Sequence, residues 1–396
     1  MQYRFADHVL DVDRRELRHG ANQVALEPQV FDLLVYLVQN RDRVVSKDDL
    51  IASVWGGRIV SDSTLDSRIN AARKALGDNG EQQRLIRTIA RKGIRFVGAV
   101  EEPAQADTKS PQPAAAKLFR QDVHFCTAAD GVRIAYAEVG HGPPLVKTAN
   151  WLNHLEYDWE SPIWSHLLHA LAAGHRLIRY DARGNGLSDW DVGDISFEAF
   201  VRDLATVVEA TKLDRFALLG MSQGCAMSIA YAVRNPGRVS HLVLYGGFAR
   251  GRRKRGSEAE MEQADALLTL MRHGWGQENP AFRQIFTTRF LPGGTSEQMK
   301  WFNDLQRITT SPENAVRIRQ ATENIDVIEL LPQVQVPTFV LHCRDDAAQP
   351  FEEGRRIAAG IPGARFVALE GRNHLVLETD PGRSRLLEEI DAFLKT

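Results

Sequence analysis

The chain has 396 residues, a formal net charge of -2 at pH 7, 43% hydrophobic residues and 25% charged residues. This length exceeds what one hydrophobic core usually fills, and the composition is typical of folded protein. The nearly neutral charge excludes a uniformly basic nucleic-acid coat but is compatible with one basic face. We therefore expect at least two globular domains whose charge differs locally.

Signals for secretion, membranes and metals are missing. The opening MQYRFADHVLDVDRRELRHG lacks the apolar core of a signal peptide. No apolar run approaches the roughly 20 residues that span a bilayer. Three cysteines, Cys126, Cys225 and Cys343, are too few for a disulfide framework or a metal quartet. We expect a cytoplasmic protein with no membrane contact, no metal and no organic cofactor.

Residues 1–100 combine short strands with helical periodicity. After a β-prone start, the apolar residues of PQVFDLLVYLVQNRDRVVS fall at helical spacing. SKDDLIASVW predicts a second helix capped by Ser46, and SDSTLDSRINAARKALGD predicts a third with an apolar stripe. IRTIARKGIRFVGAV alternates around Gly93 and predicts a hairpin. This order predicts a winged helix-turn-helix domain of α+β class.

The runs LDSRINAARKALGD and IRTIARKGIRF resemble the signature of the OmpR/PhoB-type winged-helix family. In that family the third helix enters the major groove and the wing follows the backbone or the minor groove. The resemblance implies double-stranded DNA as the partner. The base-facing positions that it implies are Ser67, Arg68, Asn70 and Ala71, and the positions nearer phosphates are Arg73, Lys74, Arg91 and Lys92.

Charge supports this interpretation independently. Residues 60–100 contain eight Lys or Arg against four acids, as a surface that faces phosphates should. Alternatively, these cations are only the solvated face of a small helical domain. The order of two helices, a third basic helix and a wing favours DNA binding.

The stretch EEPAQADTKSPQPAAAK contains three prolines and no aliphatic or aromatic residue beyond alanine, so it cannot contribute to a core. It predicts a flexible linker over residues 101–120 and a second domain over residues 121–396. In that second domain, short apolar runs alternate with amphipathic segments. The alternation predicts a mostly parallel sheet with helices on both faces.

A nucleophile and its partners stand out in the second domain. FALLGMSQGCAMSIAYAV places GMSQG between a strand and a helix, where a sharp turn would expose the hydroxyl of Ser222. A serine needs a base and an orienting carboxylate, which two later loops supply as Asp345 or Asp346 and His374. The alternative roles are a serine in a structural turn and a histidine bound to backbone.

The motifs RYDARGNGLSD, GMSQG, RDDAAQP and EGRNH, in this order, resemble the α/β-hydrolase superfamily. The resemblance implies Asp346 as the acid, because it lies four residues before Pro350. A serine nucleophile implies cleavage of esters, thioesters, lactones or carbon-carbon bonds. Asp181 and its neighbours in the first motif are expected to be structural.

The same resemblance implies an oxyanion hole made by the backbone N–H groups of Gln223 and Trp151. Many relatives have a His-Gly pair where this sequence has Ala149 and Asn150, which makes the second donor less typical. Trp151 could also line a ligand pocket or pack in the core.

Residues 247–331 are rich in helical patterns and predict a lid over the triad. The basic run RGRRKRG at residues 250–256 is interpreted as a solvated entrance to this lid, with DNA phosphate contact as the alternative.

Three functions fit these features. The first is a transcriptional regulator whose hydrolase domain senses a small apolar ester-, thioester- or lactone-like ligand, either with or without hydrolysing it. The second is a working serine hydrolase, an esterase or C-C hydrolase, for which DNA binding is secondary. The third is an interaction protein in which the hydrolase fold only dimerises the DNA readers. A homodimer is expected by analogy, because two half-sites need two readers.

Two substitutions separate base contacts from phosphate contacts. We expect Arg68→Ala to weaken specific DNA sites by roughly 1 to 3 kcal/mol, and Lys92→Ala to weaken all sequences about equally and flatten the salt dependence. Fluorescence anisotropy on selected and random duplexes measures both. Equal losses on random DNA would refute the assignment.

Overall fold

The computed structural model describes residues 2–12, 14–20, 22–55, 62–89, 92–101 and 121–396. The chain divides into two compact units, Met1–Ala115 and Ala116–Thr396. The predicted linker over residues 101–120 lies outside the described residues except for residue 101. Within the described ranges, no helix combines the length and the apolar character needed to cross a membrane.

The first unit is a winged helix, as the sequence predicts. Its described elements are β1 (Gln2–Phe5), β2 (His8–Asp11), β3 (Glu16–His19), β4 (Asn22–Val24), α1 (Pro28–Gln39), α2 (Lys47–Trp55), α3 (Asp62–Ala75), β5 (Ile86–Ile89), β6 (Gly93–Phe96) and β7 (Val100–Glu101). Five strands form an antiparallel sheet in the order β4-β3-β2-β1-β7, and β5 pairs with β6 as a hairpin.

Local signals place the helices of this unit. Pro28 stands in the first turn of α1, where its missing N–H costs nothing. The predicted cap of α2 is confirmed, since the Ser46 hydroxyl accepts the Asp49 N–H at 3.0 Å and the Asp49 carboxylate accepts the Ser46 N–H at 3.1 Å. The apolar stripe of α3 is buried and packs against α1 in the core of the unit. Burial of one stripe leaves the opposite face of α3 to solvent.

One close approach helps to hold the hairpin to the rest of the unit. Val45 and Ile94 exchange two backbone hydrogen bonds of 2.8 Å. Gly93, at the start of β6, has a φ of +137°, and a Cβ at this position would lie 2.0 Å from the Val45 carbonyl oxygen. Only glycine fits here, so this residue fixes the hairpin against the helices.

The second unit has the α/β-hydrolase fold. Its strands are β8 (Asp122–Thr127), β9 (Arg133–Val139), β10 (Pro144–Lys147), β11 (Arg176–Tyr180), β12 (Phe216–Met221), β13 (Val239–Tyr245), β14 (Thr338–Cys343) and β15 (Arg365–Leu369). They form one sheet in the order β15-β14-β13-β12-β10-β11-β9-β8. The strands β8 and β9 are antiparallel, and the strands from β10 onward pair in parallel.

Helices follow most of these strands. They are α4 (Leu155–Trp159), α5 (Ser165–Gly174), α6 (Phe197–Ala210), α7 (Gly224–Arg234), α8 (Arg252–Arg255), α9 (Glu258–Gly274), α10 (Ala281–Phe290), α11 (Ser296–Thr309), α12 (Pro312–Glu323), α13 (Phe351–Gly360) and α14 (Arg383–Leu394), with a 3₁₀ helix at Ile328–Gln333. Helices α8 to α12 lie in the segment between β13 and β14, where the sequence predicts a lid.

The sheet positions the site. All six residues of β12 and all six of β14 are buried, so both strands are anchored in the core. Parallel strands bring their carboxyl ends to one edge of a sheet. The loops after β10, β12, β14 and β15 therefore open on the same side, and these loops carry the predicted catalytic residues.

A pair of glycine substitutions tests the packing of the wing. We expect Gly93→Ala to destabilise the first unit by at least about 2 kcal/mol, because the new Cβ would collide with backbone. The control is Gly77→Ala, since Gly77 also has a positive φ of +62° but its Cβ would meet nothing within 4 Å. This control should cost only about 1 kcal/mol. Denaturant unfolding of the full chain measures both; equal losses would contradict the close approach.

Candidate functional site

Ser222 stands on a strained turn between β12 and α7. Its φ is +54°, a left-handed conformation that is rare for residues other than glycine. The turn is tight: a Cβ at Gly220 would lie 2.7 Å from the Ser228 hydroxyl, and one at Gly224 would lie 2.9 Å from the Ala149 carbonyl oxygen. The Ser222 N–H donates to the Tyr245 carbonyl at 2.9 Å. Strain held in this way is typical of a nucleophile elbow.

The acid and the histidine are joined directly. Nδ1 of His374 lies 2.7 Å from Oδ2 of Asp346, and both side chains are buried. The other oxygen, Oδ1, accepts the N–H groups of Ala348 and Gln349, each at 2.9 Å. Of the two candidate acids, the structure brings Asp346 to His374, whereas Asp345 is exposed.

Electrostatics keep this carboxylate charged. Burial acts to raise the pKa of Asp346, but the charge and the hydrogen bond of His374 outweigh it, and the pKa lies below its usual value. His342 lies 3.6 Å from the same oxygen, and burial lowers its pKa. Asp346 is therefore ionised at neutral pH and accepts a proton-bearing Nδ1, which leaves Nε2 of His374 free to act as a base.

Tyr245 and Gly246, at the end of β13, connect the nucleophile with the histidine. The Tyr245 carbonyl accepts the Ser222 N–H, and the Tyr245 hydroxyl donates to the His374 carbonyl at 3.0 Å. A Cβ at Gly246 would lie 3.2 Å from Cε1 of His374 and 3.7 Å from Oδ2 of Asp346. The three predicted catalytic residues thus surround one short backbone segment.

The two predicted oxyanion donors lie at the ends of neighbouring loops. Gln223 directly precedes α7, and its side-chain oxygen accepts the Thr322 hydroxyl at 2.6 Å. The close approach of Gly224 to Ala149 places the loop of Trp151 against the elbow. In the described part of the chain, the N–H groups of Gln223 and Trp151 have no hydrogen-bond acceptor. Both N–H groups are therefore unoccupied, as the predicted oxyanion hole requires.

Asn150 supports that loop, a role that the sequence did not reveal. Asn150 donates its N–H to Oδ1 of Asn153 at 3.0 Å and its side-chain amide to the Trp151 carbonyl at 3.2 Å. Its own Oδ1 accepts the ammonium of Lys147 at 2.5 Å. Asn150 thus stiffens a loop in which the family usually has His-Gly. A lysine at the end of an otherwise apolar strand was the signal that could have revealed it.

A buried charged cluster lies beneath the same loop. Burial raises the pKa of Asp181 to about 7 and raises that of Asp158 too, while burial lowers the pKa of Lys147. Oδ2 of Asp181 accepts the N–H groups of Leu155 at 3.2 Å and Leu187 at 2.9 Å. These bonds fit the structural role expected for Asp181. Among the described residues, no group of His, Cys, Asp and Glu is arranged to hold a metal ion.

The basic run at residues 250–256 differs from a solvated entrance. Its helix α8 directs Arg253 to Asp265 and Glu323, and Arg255 to Gln349 at 2.8 Å. The side chain of Arg255 is only 12% exposed. The surface that was expected to be solvated is therefore partly buried. Charge counts along the sequence could not predict this, because they do not reveal which acids lie opposite each arginine.

On the winged helix, several predicted DNA contacts share one exposed face of α3. Ser67, Asn70, Ala71 and Lys74 follow helical spacing, and all but the half-buried Ala71 are exposed. Lys92, before β6, is exposed as well. A groove of about 560 Å³ between α3 and the hairpin is lined by Asn70, Lys92 and other residues of both elements. The predicted base-facing positions Ser67 and Asn70 and the predicted phosphate-facing positions Lys74 and Lys92 are therefore accessible to a partner.

Two other predicted contacts are placed differently. Arg68 forms an ion pair with Glu27, at the start of α1. Arg73 is buried, and its guanidinium donates to the Ile86 carbonyl at 3.1 Å and to the Thr88 hydroxyl at 2.8 Å. Arg73 is thus better explained as the link between α3 and the hairpin than as a phosphate ligand. Arg91 lies outside the described residues.

Comparisons with known proteins support the fold assigned to each unit. The model of the family "Transcriptional regulatory protein, C terminal" matches residues 21–96, and the model of the "Alpha/beta hydrolase family" matches residues 139–384. Over 265 residues the chain is 26% identical to the AB hydrolase superfamily protein YisY of Bacillus subtilis, which covers 63% of this chain and 92% of that protein.

The first unit has its own relative. Over 104 residues the chain is 33% identical to the transcriptional activator CadC of Escherichia coli, and this stretch covers 25% of this chain and 20% of CadC.

Among solved structures, a hydrolase from Pseudomonas aeruginosa superposes with a TM-score of 0.59 at 23% identity, and the match covers 69% of this chain and 99% of that one. That likeness concerns the fold alone.

Substitution of each candidate acid tests the geometry. We expect Asp346→Asn to slow the labelling of Ser222 by a fluorophosphonate roughly a thousandfold, because an amide would donate to Nδ1 and stabilise the wrong tautomer of His374. Asp345→Asn should label at the normal rate. Intact-protein mass spectrometry follows the reaction, with Ser222→Ala as the blank. Similar rates for the two asparagine variants would contradict the assignment of Asp346.

Proposed function

This chain belongs to the alpha/beta hydrolase family and carries an OmpR/PhoB-type winged-helix domain, and we propose that it is a transcriptional regulator whose hydrolase domain senses and hydrolyses a small ester-type ligand. The observation that carries the proposal is the 2.7 Å contact of Asp346 with His374 beside the strained Ser222 turn. A serine on such a turn and an oriented histidine, in the same chain as a DNA-binding domain, support a link between ligand chemistry and transcription.

The reaction follows serine acyl transfer. The Ser222 hydroxyl attacks the ligand carbonyl while His374 takes its proton, and Asp346 stabilises the resulting imidazolium. The N–H groups of Gln223 and Trp151 hold the oxyanion. The carbon-oxygen bond to the alcohol then breaks, and the alcohol leaves with the proton from His374. Water, deprotonated by His374, releases the acid from Ser222. A lactone opens by the same steps with its alcohol still tethered to the acyl group, and in a thioester the carbon-sulfur bond breaks and a thiol leaves.

Sensing requires that the ligand bind two states of the protein unequally. The helices between β13 and β14 are the elements proposed to differ between these states, since such lids close on ligands. Hydrolysis would then remove the ligand and end the signal. Ligand occupancy would change DNA affinity, and turnover would restore it.

A second candidate is a serine hydrolase for which DNA binding is secondary. The charged, buried and fully hydrogen-bonded Asp346 favours it, because a domain kept only for binding has no need of an oriented catalytic base. The two candidates differ in whether ligand changes DNA affinity.

DNA as the partner also suggests where the protein works and how it assembles. We propose that the protein works in the cytoplasm, in the same compartment as the DNA that it binds. Two winged helices of a homodimer would occupy two half-sites of a duplex. Equilibrium sedimentation with and without DNA tests this part.

A panel of small esters, thioesters and lactones tests the catalytic part. We expect at least one class to be hydrolysed, and Ser222→Ala to lower kcat/KM by roughly a thousandfold or more, because no other residue supplies the nucleophile. The same variant should still bind the substrate, as a rise in Tm. Undiminished turnover by Ser222→Ala would refute the mechanism. No turnover and no thermal shift with any compound would favour a protein that only dimerises.

A further inference from the structure

Four arginines converge on a cavity under the lid. Arg252 and Arg255 come from α8, Arg289 from α10 and Arg319 from α12. This arginine cavity has a volume of about 30 Å³, and an adjoining cavity of about 220 Å³ shares three of the four arginines. Such a concentration of one charge between helices of a lid is costly unless an anion balances it.

Two of the four guanidinium groups are balanced by the protein. Arg319 pairs with Glu323 at 2.7 Å, and Arg255 contacts Glu353 at 3.4 Å and donates to Gln349 at 2.8 Å. Both acids are buried and already engaged by these and other arginines. Each acid is thus shared between two arginines, and within the described ranges one oxygen of each, Oε2, accepts no hydrogen bond.

The other two guanidinium groups are unbalanced. Within the described ranges, Arg252 and Arg289 have no hydrogen-bond acceptor and no ion-pair partner. Burial, followed by the charges of the neighbouring arginines, lowers the pKa of Arg252 to about 10 and lowers that of Arg289. The acids nearby are Glu323, Glu260, whose carboxylate caps α9 at Ser257, and the catalytic carboxylate. Two positive charges thus face partly desolvated space together.

Residues that line the arginine cavity contact three of the predicted site residues. Its lining residue Phe290 packs edge-on against His374, with ring centroids 5.3 Å apart. Thr322, another lining residue, donates to the side chain of Gln223 at 2.6 Å. The guanidinium of Arg319 lies 5.9 Å from the ring centroid of Trp151. An anion bound here would lie among residues that contact His374, Gln223 and Trp151.

We propose that Arg252 and Arg289 bind a carboxylate of the ligand, so that the ester or lactone cleaved at Ser222 carries an acidic group. The inference rests on the proposed function for cleavage but not for anion binding. It replaces the expected apolar ligand with an anionic one. A carboxylate fits better than a phosphate, because the inner cavity is small and the planar guanidinium fork matches a planar carboxylate.

A matched pair of substrates tests the charge preference. Mono-p-nitrophenyl glutarate and p-nitrophenyl pentanoate have acyl chains of the same length, and only the first ends in a carboxylate. We expect the native protein to prefer the glutarate ester, and Arg252→Gln or Arg289→Gln to lower the glutarate-to-pentanoate ratio of kcat/KM roughly ten- to hundredfold. Arg385→Gln, on α14 and 57% exposed at its side chain, should leave the ratio unchanged.

Binding without turnover separates this inference from the proposed function. Titration calorimetry of Ser222→Ala with glutarate should show binding that Arg252→Gln and Arg289→Gln weaken by a similar factor. Arginine-dependent glutarate binding without hydrolysis of either ester would support the anion site and refute hydrolysis. Hydrolysis of both esters at the same ratio in all variants, with no glutarate binding, would overturn the anion site alone. Tighter binding of inorganic phosphate than of glutarate would overturn the choice of carboxylate.

Discussion

The strained turn at Ser222 is the constraint on which the second unit depends. A left-handed serine costs of order 1 to 3 kcal/mol, so its surroundings must hold it in place. Buried β12 anchors one side, the Tyr245 carbonyl fixes the Ser222 N–H, and glycines at 220 and 224 make room for the chain. The parallel order of the sheet then brings the loops of Asp346 and His374 to the same edge.

Buried charge in this unit has two different arrangements. Arg183, fully buried, is neutralised by Asp203 at 2.7 Å and Asp130 at 2.6 Å, as expected of a charge that serves the fold. Arg252 and Arg289 lack such partners among the described residues. A fold does not gain stability from unbalanced cations, so their presence beside the triad points to a ligand that supplies the missing charge.

Much of the fold could be predicted, and the candidate triad could be proposed, because the signals are local. A strand, GMSQG and a helix define the elbow within one segment, and the acid and histidine follow strands in a fixed order. The roles of Arg73 and α8 could not be predicted, because they depend on which elements pack opposite each side chain. Helical spacing identifies an exposed face but not that Arg73 reaches back to Ile86 and Thr88. The Asn150 support escaped prediction for the same reason.

The central claim is that occupancy at Ser222 controls DNA binding. Its most direct test is the affinity of the full chain for a duplex selected from random sequence, measured before and after stoichiometric phosphonylation of Ser222, with Ser222→Ala treated in parallel. Coupling between the domains predicts a change of about fivefold or more in the native protein and none in the variant. Unchanged affinity in fully labelled protein would contradict a sensing role and leave a hydrolase that happens to bind DNA.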